Sequence, residues 1–221
     1  MSDDGVPDRP NRGLNDPRAV DILTTEHWSL LSARALGYQE MFGRATIFVT
    51  ILSGIVIALT LMAQATQFGR DTLLVGLLLI SVALFIGLAT FIRSVAINYE
   101  DATWVMGMNR LRHAYLQIVP ELEPFFVAGH EPNADRRALA HGAPQAAQNL
   151  AKSLTTTSSV VAALNSILAG SLASDVAALG GAGLALAATS GVAASLASAV
   201  LHVGYAARFR RRHPLPSDSP G

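Results

Sequence analysis

Residues Ala45–Ala65, ATIFVTILSGIVIALTLMAQA, run for 21 positions without an Asp, Glu, Lys or Arg. A helix rising about 1.5 Å per residue carries such a stretch across about 30 Å, the thickness of a bilayer hydrocarbon core. Three further windows share the property: Thr72–Ile92, Ser158–Ser174 and Leu179–Tyr205. A charge in mid-membrane costs about 2.5–3.5 kcal/mol on insertion scales, so a lipid-facing helix excludes it, whereas a soluble chain gains nothing by doing so. The expected fold is all-α and integral to a membrane. Four transmembrane helices form two hairpins, the first extended into a cytoplasmic helical stem.

The rest of the chain is organised around these windows. Of 221 residues, 51% are hydrophobic and 14% charged, and the formal net charge is zero, which gives no ground for a nucleic-acid partner. Arg34 and Arg44 precede the first window; Arg93, Arg110, Arg112, Arg136, Arg137 and Lys152 lie between the second and third. Arg208, Arg210, Arg211 and Arg212 follow the fourth, and Arg70 alone falls on the opposite side. The positive-inside bias then places both termini and 93–157 in the cytoplasm of a plasma (inner) membrane, with short outer turns at Gln67–Asp71 and Ser174–Ala178. The acidic opening Met1-Ser2-Asp3-Asp4 does not fit a cleaved signal peptide. The chain has no Cys, and its basic residues are 15 Arg and one Lys, a usage typical of GC-rich bacterial genomes.

Five segments follow. Residues 1–15 and 214–221, rich in Pro, Gly, Asp and Ser, read as disordered tails. Residues 16–120 form the first hairpin, with spans at 45–65 and 72–92 and the helical stem. Residues 121–143 are a cytoplasmic loop, where Glu121-Leu122-Glu123-Pro124-Phe125-Phe126 reads as a turn folded on the stem. Residues 144–213 form the second hairpin, with spans at 158–174 and 179–205, Pro144 starting its first helix and Gly180, Gly181 and Gly183 marking its turn.

The stem is read from its ends and its seams. Asp16-Pro17 supplies an N-cap and a proline at the first helical position, and Pro120 stops the returning helix. Trp28, Leu31, Tyr38 and Phe42 recur on the first arm at helical seam spacing, and Trp104, Met108, Leu111 and Tyr115 on the second. With the turn near Phe68–Gly69, residues whose numbers sum to about 137 share a level, so the seams pack on each other or on a neighbouring subunit.

Inside the membrane, three features carry the functional reading. Thr46, Thr50, Ser53, Ile57, Thr60 and Gln64 form a polar stripe on one face of the first span, with Ile57 its apolar break. Hydroxyls and amides there need another helix or water, so the stripe serves interhelical packing or lines a path through a ring of subunits. Gly183, Ala187, Gly191 and Ser195 recur every fourth residue, and Ser159, Ala163, Ser166, Gly170 and Ser174 do something similar on the third span. Such faces suit close helix packing. Asn165 and His202 are isolated polar residues in apolar surroundings, each expected as a satisfied interface group.

No catalytic motif is present: the chain lacks a P-loop, a dinucleotide fingerprint, H-E-x-x-H and a nucleophile elbow. His27 and His113 fall near one stem level, where solvation is favoured over a shared metal, so no metal, cofactor or catalytic residue is expected.

Thr24–Leu31, the striped first span and Trp104–Tyr115 resemble a group of uncharacterised actinobacterial multi-span membrane proteins. Residues 17–120 are also similar in architecture to SLATT-type two-span domains, proposed as pore-forming effectors in nucleotide-signalled bacterial defence. The second hairpin departs from that two-span pattern, and the similarity transfers no functional residue. The resulting expectation is a non-enzymatic homo-oligomeric channel or pore-like assembly in the lipid bilayer. The alternative is a non-conducting scaffold or accessory subunit that holds a cytoplasmic protein partner through its stem and loop.

Overall fold

The computed structural model of the chain describes residues 13–67, 69–126 and 156–214. Helix α1 spans Ala19–Thr66, α2 Arg70–Ile118, α3 Thr157–Leu179 and α4 Leu184–Arg212, with a short 3-10 turn at Pro120–Phe125. All four helices are long and apolar enough to cross a membrane. The expected helix start at Pro144, most of the 121–143 loop, Arg136, Arg137, Lys152, Phe68 and most of both tails lie outside the described residues.

The helix ends follow from local chemistry. The Asp16 carboxylate accepts from the Arg18 backbone N–H at 2.8 Å, an N-cap bond placed as Asp16-Pro17 predicts. Pro120 ends α2 because the residue before a proline is driven out of the helical region, and Val119 is non-helical at φ −137°, ψ 86°. Phe125, on the 3-10 turn that follows, is exposed. The outer turn expected at Ser174–Ala178 is instead part of α3, which continues to Leu179, and the fourth helix begins at Leu184 rather than at 179. The reversal sits where Gly181 adopts φ 83°, a conformation that disfavours a Cβ. There Ala182 N–H donates to the Ala177 carbonyl and Gly181 N–H to that of Ala178, the paired bonds of a Schellman stop.

By packing, the described residues divide into two units: one of 13–36 and 100–126, the other of 37–67, 69–99 and 156–214. In the first, α1 and α2 run alongside each other, with Arg34 Nε bonding Asp101 at 2.6 Å and Met108 and Asn109 buried. Leu30 lies against Gly107, a pair whose numbers sum to 137; a Cβ there would come within 2.9 Å of Leu30 Cδ1.

The second unit is a four-helix bundle. Phe48 of α1, Ile80, Ala83, Phe91 and Val95 of α2, and Val161 and Leu168 of α3 form its core, with Ala206 and Phe209 of α4 packed against it. Much of its outer surface is apolar: Phe85 is 74% exposed, and Leu78, Leu186, Val200, Leu201 and Val203 are exposed too. Water does not drive helices together in lipid, so the bundle depends on close van der Waals contact and a few polar bonds. The chain is a multi-span α-helical membrane protein.

Candidate functional site

Helix α1 turns two different faces to its surroundings. Phe48, Leu52, Ile55 and Leu59 join the bundle core, while Thr46, Thr50, Ser53, Ile57, Thr60 and Gln64 are all exposed. The polar stripe therefore points away from the chain's own bundle. Three of its hydroxyls are satisfied within the helix: Thr50 donates to the Thr46 carbonyl, Ser53 to Val49 and Thr60 to Val56, at 2.7–2.9 Å. Gly43 and Gly54 lie beside the stripe with open space where a Cβ would stand. Among the described residues nothing covers the stripe, which exposed Val49, Val56 and Leu61 flank.

Of the seam residues, Met108 is 3% exposed and Tyr38, Trp104, Leu111 and Tyr115 are half-buried. Trp28, Leu31 and Phe42 stand out from the chain, Trp28 at 63%. Within the first unit the exposed residues also include Val20, Ile22 and Leu36.

Small residues bring α3 and α4 together. A Cβ on Gly170 would fall 2.6 Å from the Gly191 carbonyl and 2.0 Å from Ser195 Oγ, and one on Gly191 would lie 3.0 Å from the Gly170 carbonyl. Ala187 is buried in the same seam, and its carbonyl accepts from Ser174 Oγ at 2.8 Å. Gly183 has a different task, standing at the N-cap of α4 with nothing near its Cβ position.

The isolated polar residues meet. His202 Nδ1 lies 2.7 Å from the Ser198 carbonyl, which can only accept, so Nδ1 carries the proton. His202 Nε2 then accepts from Asn165 Nδ2 at 3.4 Å, and Phe91 meets the imidazole edge-on with centroids 4.5 Å apart. Asn165 is fully buried and its Oδ1 has no hydrogen-bond partner. That oxygen sits over Gly87, where a Cβ would approach to 1.9 Å. Both residues were visible as polar exceptions, but their pairing joins positions 37 apart in sequence, which no local spacing reveals.

A charged cluster precedes the first span. Glu40 accepts from Arg93 Nε and Nη2 at 2.9 and 2.8 Å and from Arg44 Nε at 2.9 Å. The two guanidiniums hold its carboxyl down at about 2, the bond to Arg93 contributing most. The numbers 44 and 93 sum to 137, so the hairpin register brings these arginines to one level, and Glu40 joins them from one helical turn before Arg44.

His27 and His113 have different surroundings. His27 packs beside Tyr115 with centroids 6.2 Å apart, and burial, aided by Arg112, lowers its pKa below the ordinary histidine value. His113 is exposed and bonds Gln117 at 3.1 Å. Among the described residues no group of three His, Cys, Asp or Glu side chains is arranged to hold a metal ion.

No protein-family model matches this chain, and no curated protein or solved structure matches it.

Proposed function

We propose that this protein is a homo-oligomeric channel or pore-like assembly of a bacterial plasma membrane, with α1 nearest the path. Both termini are cytoplasmic, and the first unit serves as a helical stem that controls assembly or gating. The observation that supports this reading is the outward polar stripe of α1. A face bearing Thr46, Thr50, Ser53, Thr60 and Gln64 is a poor lipid surface, and among the described residues no other helix covers it. In a ring of copies the stripe turns toward a common axis, where Ile57 forms a hydrophobic constriction.

The second reading, a non-conducting scaffold, has its own support. The intrahelical bonds of Thr50, Ser53 and Thr60 reduce what the stripe asks of water, and exposed Trp28 and Leu31 offer an anchor for a cytoplasmic partner.

The test is ion leak from vesicles containing the purified protein, alongside particle symmetry. Ile57→Ser should raise leak by wetting the constriction, and Ile57→Val should leave it unchanged. A folded, oligomeric Ile57→Ser protein without conductance would reduce the stripe to a packing surface and favour the scaffold.

A further inference from the structure

A cleft of about 460 Å³ opens within the second unit between α1, α2 and α3. Its walls are mostly aliphatic, with Val56 and Leu59 from α1, Ile80 from α2 and Leu164 from α3; Thr60, Thr72 and Ser171 add hydroxyls, and Asp175 is the one charged side chain on it. No aromatic side chain lines the cleft among the described residues.

Asp175 is built into this place. A Cβ on Gly76 would come within 3.1 Å of Asp175 Oδ2, so the carboxylate lies close against α2 at a glycine. Among the described residues no hydrogen bond or ion pair reaches it. Neither Glu40 with Arg93 nor Asp101 with Arg34, both acid–arginine pairs across helices, includes it. A carboxylate in an apolar groove without a counter-charge is costly, and an occupant bearing a positive charge removes that cost.

The shape of the cleft narrows what the occupant is. Asp175 lies one turn before the end of α3, while Leu164 lies eleven residues deeper, about 16 Å along the helix. The charge is therefore at one end and an aliphatic channel runs away from it. A metal ion needs several oxygen ligands converging on one point, and no such group is present among the described residues. An amphiphile with a cationic head and an extended apolar body satisfies both ends at once.

We propose that this cleft binds a lipophilic organic cation, its positive head on the Asp175 carboxylate and its apolar body between α1, α2 and α3. The site is separate from Ile57 and does not depend on conduction. Thr60 is the one stripe residue that also lines it.

The test uses tritiated dodecyltrimethylammonium, below its micelle concentration, with the full-length protein in nanodiscs and scintillation-proximity detection. Signal from empty nanodiscs is subtracted. Wild type should show saturable binding that Asp175→Asn weakens at least about tenfold, as expected for loss of one partner of a half-buried charge pair. Asp175→Glu should retain it. Val56→Trp, at an exposed position on the cleft wall, should block the apolar channel while leaving the carboxylate intact. Dodecanol, which has the same chain without the charge, should compete poorly. Absence of saturable binding to wild type, equal competition by dodecanol, or wild-type binding by a folded Asp175→Asn or Val56→Trp protein would each overturn the assignment. Equal competition would identify the cleft as an acyl-chain groove.

Discussion

Gly87 of α2 lies so close to Asn165 of α3 that a Cβ on it would overlap Asn165 Oδ1 at 1.9 Å and reach 2.9 Å from Phe48 Cε2. One missing methyl group thus admits a buried amide to the middle of the bundle, where it meets His202 of α4.

Gly87→Ala should therefore destabilise the protein by about 1–3 kcal/mol, the usual range for overpacking a tight site. Adding Asn165→Ala should restore part of the loss, because the two substitutions share one space and are not additive. Thermal unfolding of the detergent-solubilised protein measures both. A Gly87→Ala protein as stable as wild type would show that α2 and α3 do not pack this closely.

The arginine pair around Glu40 gives a pH prediction. Its carboxyl titrates near 2 in the folded protein, against an ordinary value near 4.5. A lowered folded pKa contributes stability that is fully present above the unfolded value and disappears as pH falls through the folded one. Glu40→Gln should cost on the order of 1 kcal/mol at neutral pH, a modest figure because the cluster is partly solvated. The difference between wild type and variant should close between about pH 5 and pH 2. A gap that stays constant down to pH 2 would mean that the Arg93 and Arg44 bonds do not form.

The packing of the first unit is tested by crosslinking. Arg34 bonds Asp101 at 2.6 Å, so cysteines replacing the adjacent Ala35 and Ala102 should join readily through a short bismaleimide. The pair Ala35 and Ala114 should not, since Ala114 lies twelve residues, about 18 Å of helix, further along α2. Preferential joining of the distant pair would refute the register of α1 against α2.

Much of this architecture is legible in the chain. Charge exclusion marks the four apolar windows, Asp16-Pro17 and Pro120 mark helix ends, and small residues at fourfold spacing mark the faces of α3 and α4. These signals are local or periodic, so a single strand of sequence carries them. The Gly180-Gly181-Ala182-Gly183 turn was visible too, but the end of α3 was less so, since Ser174 to Ala178 can be read as turn or helix until Gly181 supplies its positive φ. What the sequence does not carry is which far-apart residues meet. Asn165 and His202, Glu40 and Arg93, and Asp175 and Gly76 are each joined only by the packing of separate helices. The direction of the α1 stripe is likewise a property of the whole bundle, because periodicity defines a face without saying which way it points.

Topology has a direct test in a chain without cysteine. Gln67, at the α1–α2 reversal beside Arg70, and Ser217 near the C-terminus should, as single cysteines, be labelled from opposite sides of the membrane. An impermeant maleimide on intact cells should reach Gln67→Cys alone. Labelling of both positions would invalidate the arrangement with both ends inside.

The last prediction separates the stability of one chain from the assembly of several. Gly54 lies on the exposed face of α1, among Thr50, Ser53 and Ile57, with nothing within 4 Å of its Cβ position. Within one chain, Gly54→Leu should be neutral or slightly stabilising, because leucine is favoured over glycine in a helix by about 0.8 kcal/mol and meets no neighbour. Between chains the effect has the opposite sign. Helices that approach through small residues in a bilayer lose van der Waals contact when a bulky side chain holds them apart. If copies meet along this face, Gly54→Leu should lower the oligomeric mass of the solubilised particle while leaving helicity and unfolding temperature intact. Gly204→Ala, equally open but on α4, serves as the control and should leave the mass unchanged. An unchanged mass for Gly54→Leu would remove α1 from any subunit interface, and with it the shared axis on which the pore reading depends.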